Sequence, residues 1–331
     1  MKLFLNVGSD ASPEKLKFMK QIGVDGVVST PLPGIPDNGY HDVGMLRDLQ
    51  TQITSFDLEF YAVRLLPWTW TYRWQLGLPG RDEQIDKLAK TVRNMGSVGI
   101  PMLVYNMHAL RIYRTSNDAI ERGGATATAF DNKRVCNLPL MTGGSGTDTS
   151  LIPESSRHPI TDDEMWENLA YMLNAIVPVA EEAGVNLALH PDDPPVPEIG
   201  GVARIMRSPD AFRRVLELEP SPNHGIGLCQ GCFGEMGADV PAEIRYFGSR
   251  GRIFFVDFRN IRGCTEQFNE TFPDDGDVDM AECMRAFKEV DFQGPLSPDH
   301  ALQIDGDSSW GHQYWSFAIG HARGLAQAFG I

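Results

Sequence analysis

Cysteine is scarce in this chain: five among 331 residues (Cys136, Cys229, Cys232, Cys264 and Cys283). So odd and sparse a set does not suit a disulfide framework in a protein of this size, and the five are read as reduced thiols. Positive charge is also short. Lys and Arg number 29 against 44 Asp and Glu, a formal net charge of −15, and no basic stripe offers a phosphate backbone a place to sit, which excludes nucleic acid as a partner. Long apolar runs are missing as well: stretches such as Ile253–Val256 are strand-sized, far below the ~20 residues of a membrane helix, and no membrane partner is expected. After Lys2 the run Leu3–Val7 is too short for a signal peptide's apolar core and passes into Gly8-Ser9-Asp10, so a cytoplasmic location is expected. No G-x-G-x-x-G follows the first apolar run, which argues against a dinucleotide-binding sheet.

What is present is a regular alternation of short β-rich runs and amphipathic stretches. Strands are expected at Lys2–Val7, Gly26–Ser29, Glu59–Val63, Met102–Asn106, Asn186–His190, Gly225–Cys229, Arg252–Phe258 and Pro295–Pro298, with helices at about 13–22, 43–56, 82–98, 162–183, 209–217, 239–247, 278–289 and 315–329. Ser12-Pro13 and Ser208-Pro209 place a capping hydroxyl before a first-turn proline. Thr161 to Glu164 reads as a capping box, and Gly23 and Gly184 fall where helices stop. Eight strand-helix units are the number at which a parallel sheet closes, so the expected fold is α/β, a (β/α)8 TIM barrel in a single domain, with an open doubly wound sheet as the alternative. Segment 107–160, rich in Gly, Thr, Ser and Asn, reads as a loop insertion after strand four. It is a lid or a flexible insertion.

Barrel enzymes carry their reactive groups at the C-terminal ends of strands, so position is the test. Strand five ends in His190-Pro191-Asp192-Asp193, strand six in Cys229-Gln230-Gly231-Cys232, strand seven in Asp257-Phe258-Arg259 and strand eight in Asp299-His300. Any one of these is weak, because a lone strand-end His is more often structural and Asp before a loop usually caps. Four successive ends with metal-competent side chains point to a divalent ion held by His190, Cys229, Asp257 and Asp299. The mixed donors admit Mn²⁺, Mg²⁺, Fe²⁺, Co²⁺, Ni²⁺ or Zn²⁺. Three anionic ligands overbalance a divalent cation, and a basic neighbour is needed. Arg259, two residues past Asp257, is either that carboxylate-binding neighbour or a structural ion pair. His300 at the rim suits a general acid or base. Asp192 and Asp193 either hold hydrogen bonds behind the site or turn the chain. A lone C-x-x-C at Cys229 and Cys232 is a poor redox motif without further support, and Cys232 is read as a small loop residue.

Taken together, Leu76 to Asp82, Asn94-Met95-Gly96, Val104-Tyr105-Asn106, Arg114-Thr115, His190 to Pro195, Cys229, Phe258-Arg259-Asn260, Gly276 to Met280 and Pro298-Asp299-His300 resemble the mannonate dehydratases, metal-dependent barrel enzymes related in architecture to xylose isomerase. The resemblance implies a metal, most often Mn²⁺, on His190, Cys229, Asp299 and a strand-seven histidine, and proton transfer at His300. It also points to Tyr314 as the family's C-terminal tyrosine after a small shift, and to Arg81, Asn106, Asp192 and Glu270 as substrate-contacting. Three features depart: Asp257 stands where the family has its strand-seven histidine, Phe268-Asn269-Glu270 replaces Phe-His-Glu, and the Gly-Tyr pair expected before the last helix is absent in register.

Three functions follow as expectations. The first is a hydro-lyase that dehydrates D-mannonate or a related aldonate to a 2-keto-3-deoxy sugar acid in carbohydrate metabolism. The second is a metal-dependent isomerase or epimerase on a keto sugar or polyol, motivated by the third anion at Asp257. The third is a non-catalytic sugar-acid binding protein. A symmetric homo-oligomer is expected of a large acidic barrel.

Overall fold

In a computed structural model that describes residues 1–30 and 38–331, eight parallel strands close on themselves. They are β1 (Lys2–Asn6), β2 (Gly26–Ser29), β3 (Glu59–Arg64), β4 (Met102–Asn106), β5 (Asn186–His190), β6 (His224–Cys229), β7 (Ile253–Phe258) and β8 (Pro295–Pro298). Closure is made by β8 against β1, where Lys2 pairs with Pro295 and Leu3 with Leu296. This is the expected TIM barrel, and the open sheet is ruled out. Helices cover the outside: α1 (Pro13–Gln21), α2 (Val43–Thr54), α3 (Arg81–Val98), α4 (Asp162–Ala183), α5 (Pro209–Leu218), α6 (Val240–Gly248), α7 (Met280–Glu289) and α8 (His312–Phe329). None of the described helices is long and apolar enough to cross a membrane.

Successive strand side chains point to opposite faces, and the burial follows that period. Leu3, Leu5, Val27, Val63, Leu103, Leu187, Leu189 and Val256 join the large core between strands and helices. Phe4, Val28, Ala62, Met102, Val104, Ala188 and Phe255 form a separate cluster that plugs the barrel. One period further along, the inward residues are Arg64, Asn106, His190 and Asp257. The plug therefore ends where the polar mouth begins, and the same two-residue step fixes both.

Helix starts mostly follow their signals. Ser208 accepts from the Ala211 amide, and Thr161 with Glu164 forms the full reciprocal capping box of α4. Ser12 is the exception: its hydroxyl makes no capping bond, and Pro13 alone sets the start of α1. Segment 107–160 is more ordered than its composition suggests. Ser116–Ile120 and Thr126–Asp131 form a hairpin, and its second strand pairs with Gln267–Glu270, which in turn pairs with Ile261–Cys264. Phe130 stacks on Phe268 at 5.6 Å, giving this sheet a small core of its own with Val196, Ile199 and Ile261. Reciprocal bonds between Thr126 and Gln303 tie it to the loop after β8.

Thr161→Val should remove one half of the capping box at little change of shape. The expected loss is about 1 kcal/mol, read as a lower urea midpoint with an unchanged slope.

Candidate active site

Asp257 ends the inward row of β7 with no exposed surface. Its carboxylate is gripped in two-pronged fashion by Arg64 from β3, with Nη1 to Oδ1 at 2.8 Å and Nη2 to Oδ2 at 3.3 Å. Arg64 also approaches Asp299 Oδ2 at 3.8 Å. One guanidinium thus lies beside two of the four expected ligands. On the other side, His190 Nδ1 donates to the Pro191 carbonyl at 2.7 Å, which turns Nε2 toward Asp257 Oδ2 at 3.2 Å. Burial disfavours charge on His190, yet bonding to Asp257 and Cys229 outweighs it and pushes the ring up to about 10. The two anions draw positive charge to that nitrogen.

Cys229 caps the short helix Gln230–Glu235, with the Cys232 amide aimed at its sulfur. Burial alone would raise its pKa. The Cys232 thiol and the nearby Arg259 guanidinium overcome that and bring Cys229 down to about 5, a thiolate at neutral pH. Among the described residues, donor atoms lying within 4.8 Å of one another group as His190 with Cys229 and Cys232, as Asp193 with Cys232 and Glu235, and as Asp193 with Glu270 and His300. Cys232 lies in the short helix Gln230–Glu235 and within ligand distance of Cys229 and His190. Asp257 and Asp299 stand outside those groups, with Arg64 reaching both.

Arg259 goes to the ion-pair alternative. It is 2 % exposed, and its Nε reaches Glu270 Oε2 at 2.7 Å while Nη2 reaches Glu235 Oε1 at 2.5 Å and Glu270 Oε1. Nη1 completes the set with Asp193 Oδ2 at 3.4 Å and the Cys232 sulfur at 3.2 Å. Arg114 binds the same carboxylates, Asp193 at 2.5 Å and Glu270 at 2.7 Å. Burial works against ionising Asp193, but Arg114 and Arg259 hold it well below the usual carboxylate range. Glu235 is pushed the other way by its burial.

This network positions His300, whose Nδ1 donates to Glu270 Oε1 at 2.7 Å, while Nε2 faces Asp299 at 3.4 Å and the side chain keeps 21 % of its surface open. Desolvation is outweighed by Glu270 and Asp299, so His300 holds its proton above the ordinary histidine range. Tyr314, near the start of α8, is buried against Phe272, and burial with the charges of Glu270 and Asp299 raises its pKa. It stays a neutral phenol. Asn106 lies at the rim and accepts from Gln75, whereas Asp192 spends Oδ2 on the Met206 amide behind the site. Asn269 donates to Glu121 at 3.1 Å. Arg81 is not brought to the mouth: its guanidinium lies 3.8 Å from the Tyr171 ring centroid on the outer helices α3 and α4. Sequence reasoning misses Arg64, although its signal was available as a charge one period beyond Ala62. It also leaves Arg114 and Glu235 without a role, because their partners come from distant loops.

Parallel closure, an apolar plug and a polar rim of His, Cys, Asp and Arg define a (β/α)8-barrel enzyme. The D-mannonate dehydratase (UxuA) family model matches residues 1–331. Mannonate dehydratase 2 of Halalkalibacterium halodurans is 32 % identical over 322 residues, covering 93 % of this chain and 92 % of that one. The crystal structure of mannonate dehydratase from Streptococcus suis serotype 2 aligns with a TM-score of 0.88 and 30 % identity over 99 % of this chain and 95 % of that one. A xylose isomerase domain protein from Planctomyces limnophilus shares the fold alone, at a TM-score of 0.64 and 13 % identity over 99 % of this chain and 98 % of that one. The chain belongs to the D-mannonate dehydratase family, whose activity is that of a hydro-lyase.

Removing one partner of a buried ion pair strands the other charge. Arg64→Met should cost about 3–5 kcal/mol in chemical denaturation, and adding Asp257→Leu should recover most of it. Equal stability of wild type and the single variant would show that the pair is not formed.

Proposed function

We propose that this chain dehydrates D-mannonate or a closely related aldonate to a 2-keto-3-deoxy sugar acid, in a single barrel domain whose segment 107–160 flanks the mouth as a lid. The observation that carries the reading is the set of strand-end groups at the mouth, His190, Cys229, Asp257, Asp299 and His300, in a chain of this family. The groups fit a divalent ion. His190 Nε2 is buried and faces the Asp257 carboxylate at 3.2 Å beside the Cys229 sulfur, a set of anionic donors in which a metal cation could take the place of the ring proton. Charge agrees as well: a Cys229 thiolate with Asp257 and Asp299 carries three negative charges, and Arg64 cancels one. Two remain, which suits Mn²⁺ or another divalent metal held by His190, Cys229 and Asp299, with Asp257 as the group shared with Arg64. When bound, such an ion would stabilise the enediolate charge that builds as a base takes the proton beside the carboxylate.

The chain's own groups supply the rest. Arg64 holds Asp257 in place, and Glu270 orients His300 through Nδ1, leaving Nε2 to present its proton to the departing hydroxyl. Tyr314 adds a neutral phenol donor beside Glu270 and Asp299. The Arg259 network keeps Glu270 and Asp193 ionised and fixed, a positioning role.

Incubation of the Mn²⁺-loaded protein with D-mannonate should release water and a 2-keto-3-deoxy product. Because the pKa of His300 is raised above that of a free imidazole, its acid form persists to higher pH than an ordinary histidine's and is lost as pH climbs past that pKa, so kcat should fall on the alkaline side. His300→Gln should lower kcat roughly 10²–10⁴-fold and flatten that limb. No turnover of any aldonate would sink the assignment.

A further inference from the structure

The carboxylates at the mouth are already engaged. Both Asp257 oxygens face Arg64, at 2.8 Å and 3.3 Å, and Asp299 stands between Arg64 at 3.8 Å and His300 at 3.4 Å. Beside them lies a gathering that contains no carboxylate: a ring nitrogen of His190 and the sulfurs of Cys229 and Cys232, all within 4.8 Å of one another. A four-coordinate ion with metal–sulfur bonds of about 2.3 Å keeps its donor atoms roughly 3.5–4 Å apart. The three donors therefore stand close to the spacing that a shared ion needs.

The chain places the second sulfur with some care. Strand β6 ends at Cys229, which caps the short helix Gln230–Glu235, so Cys232 follows about one turn later on the same side. Its amide N–H donates to the Cys229 sulfur at 3.5 Å. Arg259 Nη1 meets both sulfurs, at 3.2 Å from Cys232 and 3.5 Å from Cys229. Gly231 makes that approach possible, because a Cβ there would meet Arg259 Cγ and Cδ at 2.8 Å. Two thiols that merely filled a core would be set among apolar groups. These two are buried against a guanidinium and an imidazole, and such partners behind a ligand orient it and offset its charge. His190 completes the set, since Nδ1 is spent on the Pro191 carbonyl and Nε2 is left for the site.

We propose that Cys232 is a metal ligand together with His190 and Cys229, so that the mouth offers two sulfurs and selects a thiophilic divalent ion, Zn²⁺, Fe²⁺ or Co²⁺, more strongly than one sulfur would. The inference rests on the reading that the mouth holds a divalent ion, and it names the residue that tunes which ion is preferred. Sulfur is a soft donor that adds much to the binding of these ions and little to that of Mn²⁺. As each metal–sulfur bond forms, any proton on that sulfur passes to solvent, and no electron is transferred.

The test is Co²⁺ titration of chelator-stripped full-length protein carrying Cys136→Ser and Cys264→Ser, which remove the two exposed thiols. Adding Cys232→Ser should lower the near-ultraviolet sulfur-to-cobalt absorption by about half, the share of one sulfur in two. Zn²⁺ affinity should fall at least about tenfold, the least that even an outer partner costs, and Mn²⁺ affinity by less. X-ray absorption of the unsubstituted chain loaded with one equivalent of Zn²⁺ counts the sulfurs without any variant, and two should be found. A single sulfur, cobalt absorption unchanged by Cys232→Ser, or no uptake of either ion would overturn the inference. A single sulfur with turnover of D-mannonate would leave the dehydratase assignment standing. Two sulfurs with no turnover of any aldonate would remove that assignment and keep Cys232 as a ligand.

Discussion

Everything at the mouth depends on the inward-facing row of the barrel. Ala62, Val104, Ala188 and Phe255 fill the interior as part of one apolar plug, and the next inward residues of the same strands are Arg64, Asn106, His190 and Asp257. Parallel strands that close on themselves must all end at one rim, so residues from four distant parts of the chain are brought together without any local sequence signal joining them. The apolar layer beneath also lowers the local dielectric. That is why the Arg64–Asp257 pair and the Arg259 network matter: in such surroundings an unpaired charge is expensive, and each one here has a partner or awaits a ligand.

Two charge systems divide the labour. One is centred on Arg64 and sets the charge seen by His190, Cys229 and Asp299. The other is centred on Arg259 and Arg114 and fixes Asp193 and Glu270, through which His300 is oriented. Asp257 contributes a negative charge to the first system, and Arg64 compensates it in the structure.

Much of this was legible in the sequence because period and position carry it. All eight strands lie where alternation places them, and His190, Cys229, Asp257 and Asp299 sit at strand ends as the rule for barrels requires. What could not be read was pairing. Arg64 closes a strand whose apolar pattern reads as ending at Val63, and nothing local says that its partner is 193 residues away. Arg259 was readable as carboxylate-binding or as structural, and only the arrival of Glu235 and Glu270 decides between them. Segment 107–160 hid its hairpin because the strand Thr126–Asp131 opens on four small residues, Thr-Ala-Thr-Ala, and is held by pairing with a strand far along the chain.

Anomalous diffraction from crystals grown with Mn²⁺ addresses the central claim most directly. The account predicts a single strong peak at the mouth within bonding distance of His190 Nε2, Cys229 Sγ and an Asp299 oxygen, with Arg64 still bound to Asp257. No peak there, or one among Asp193, Cys232 and Glu235 instead, would contradict it.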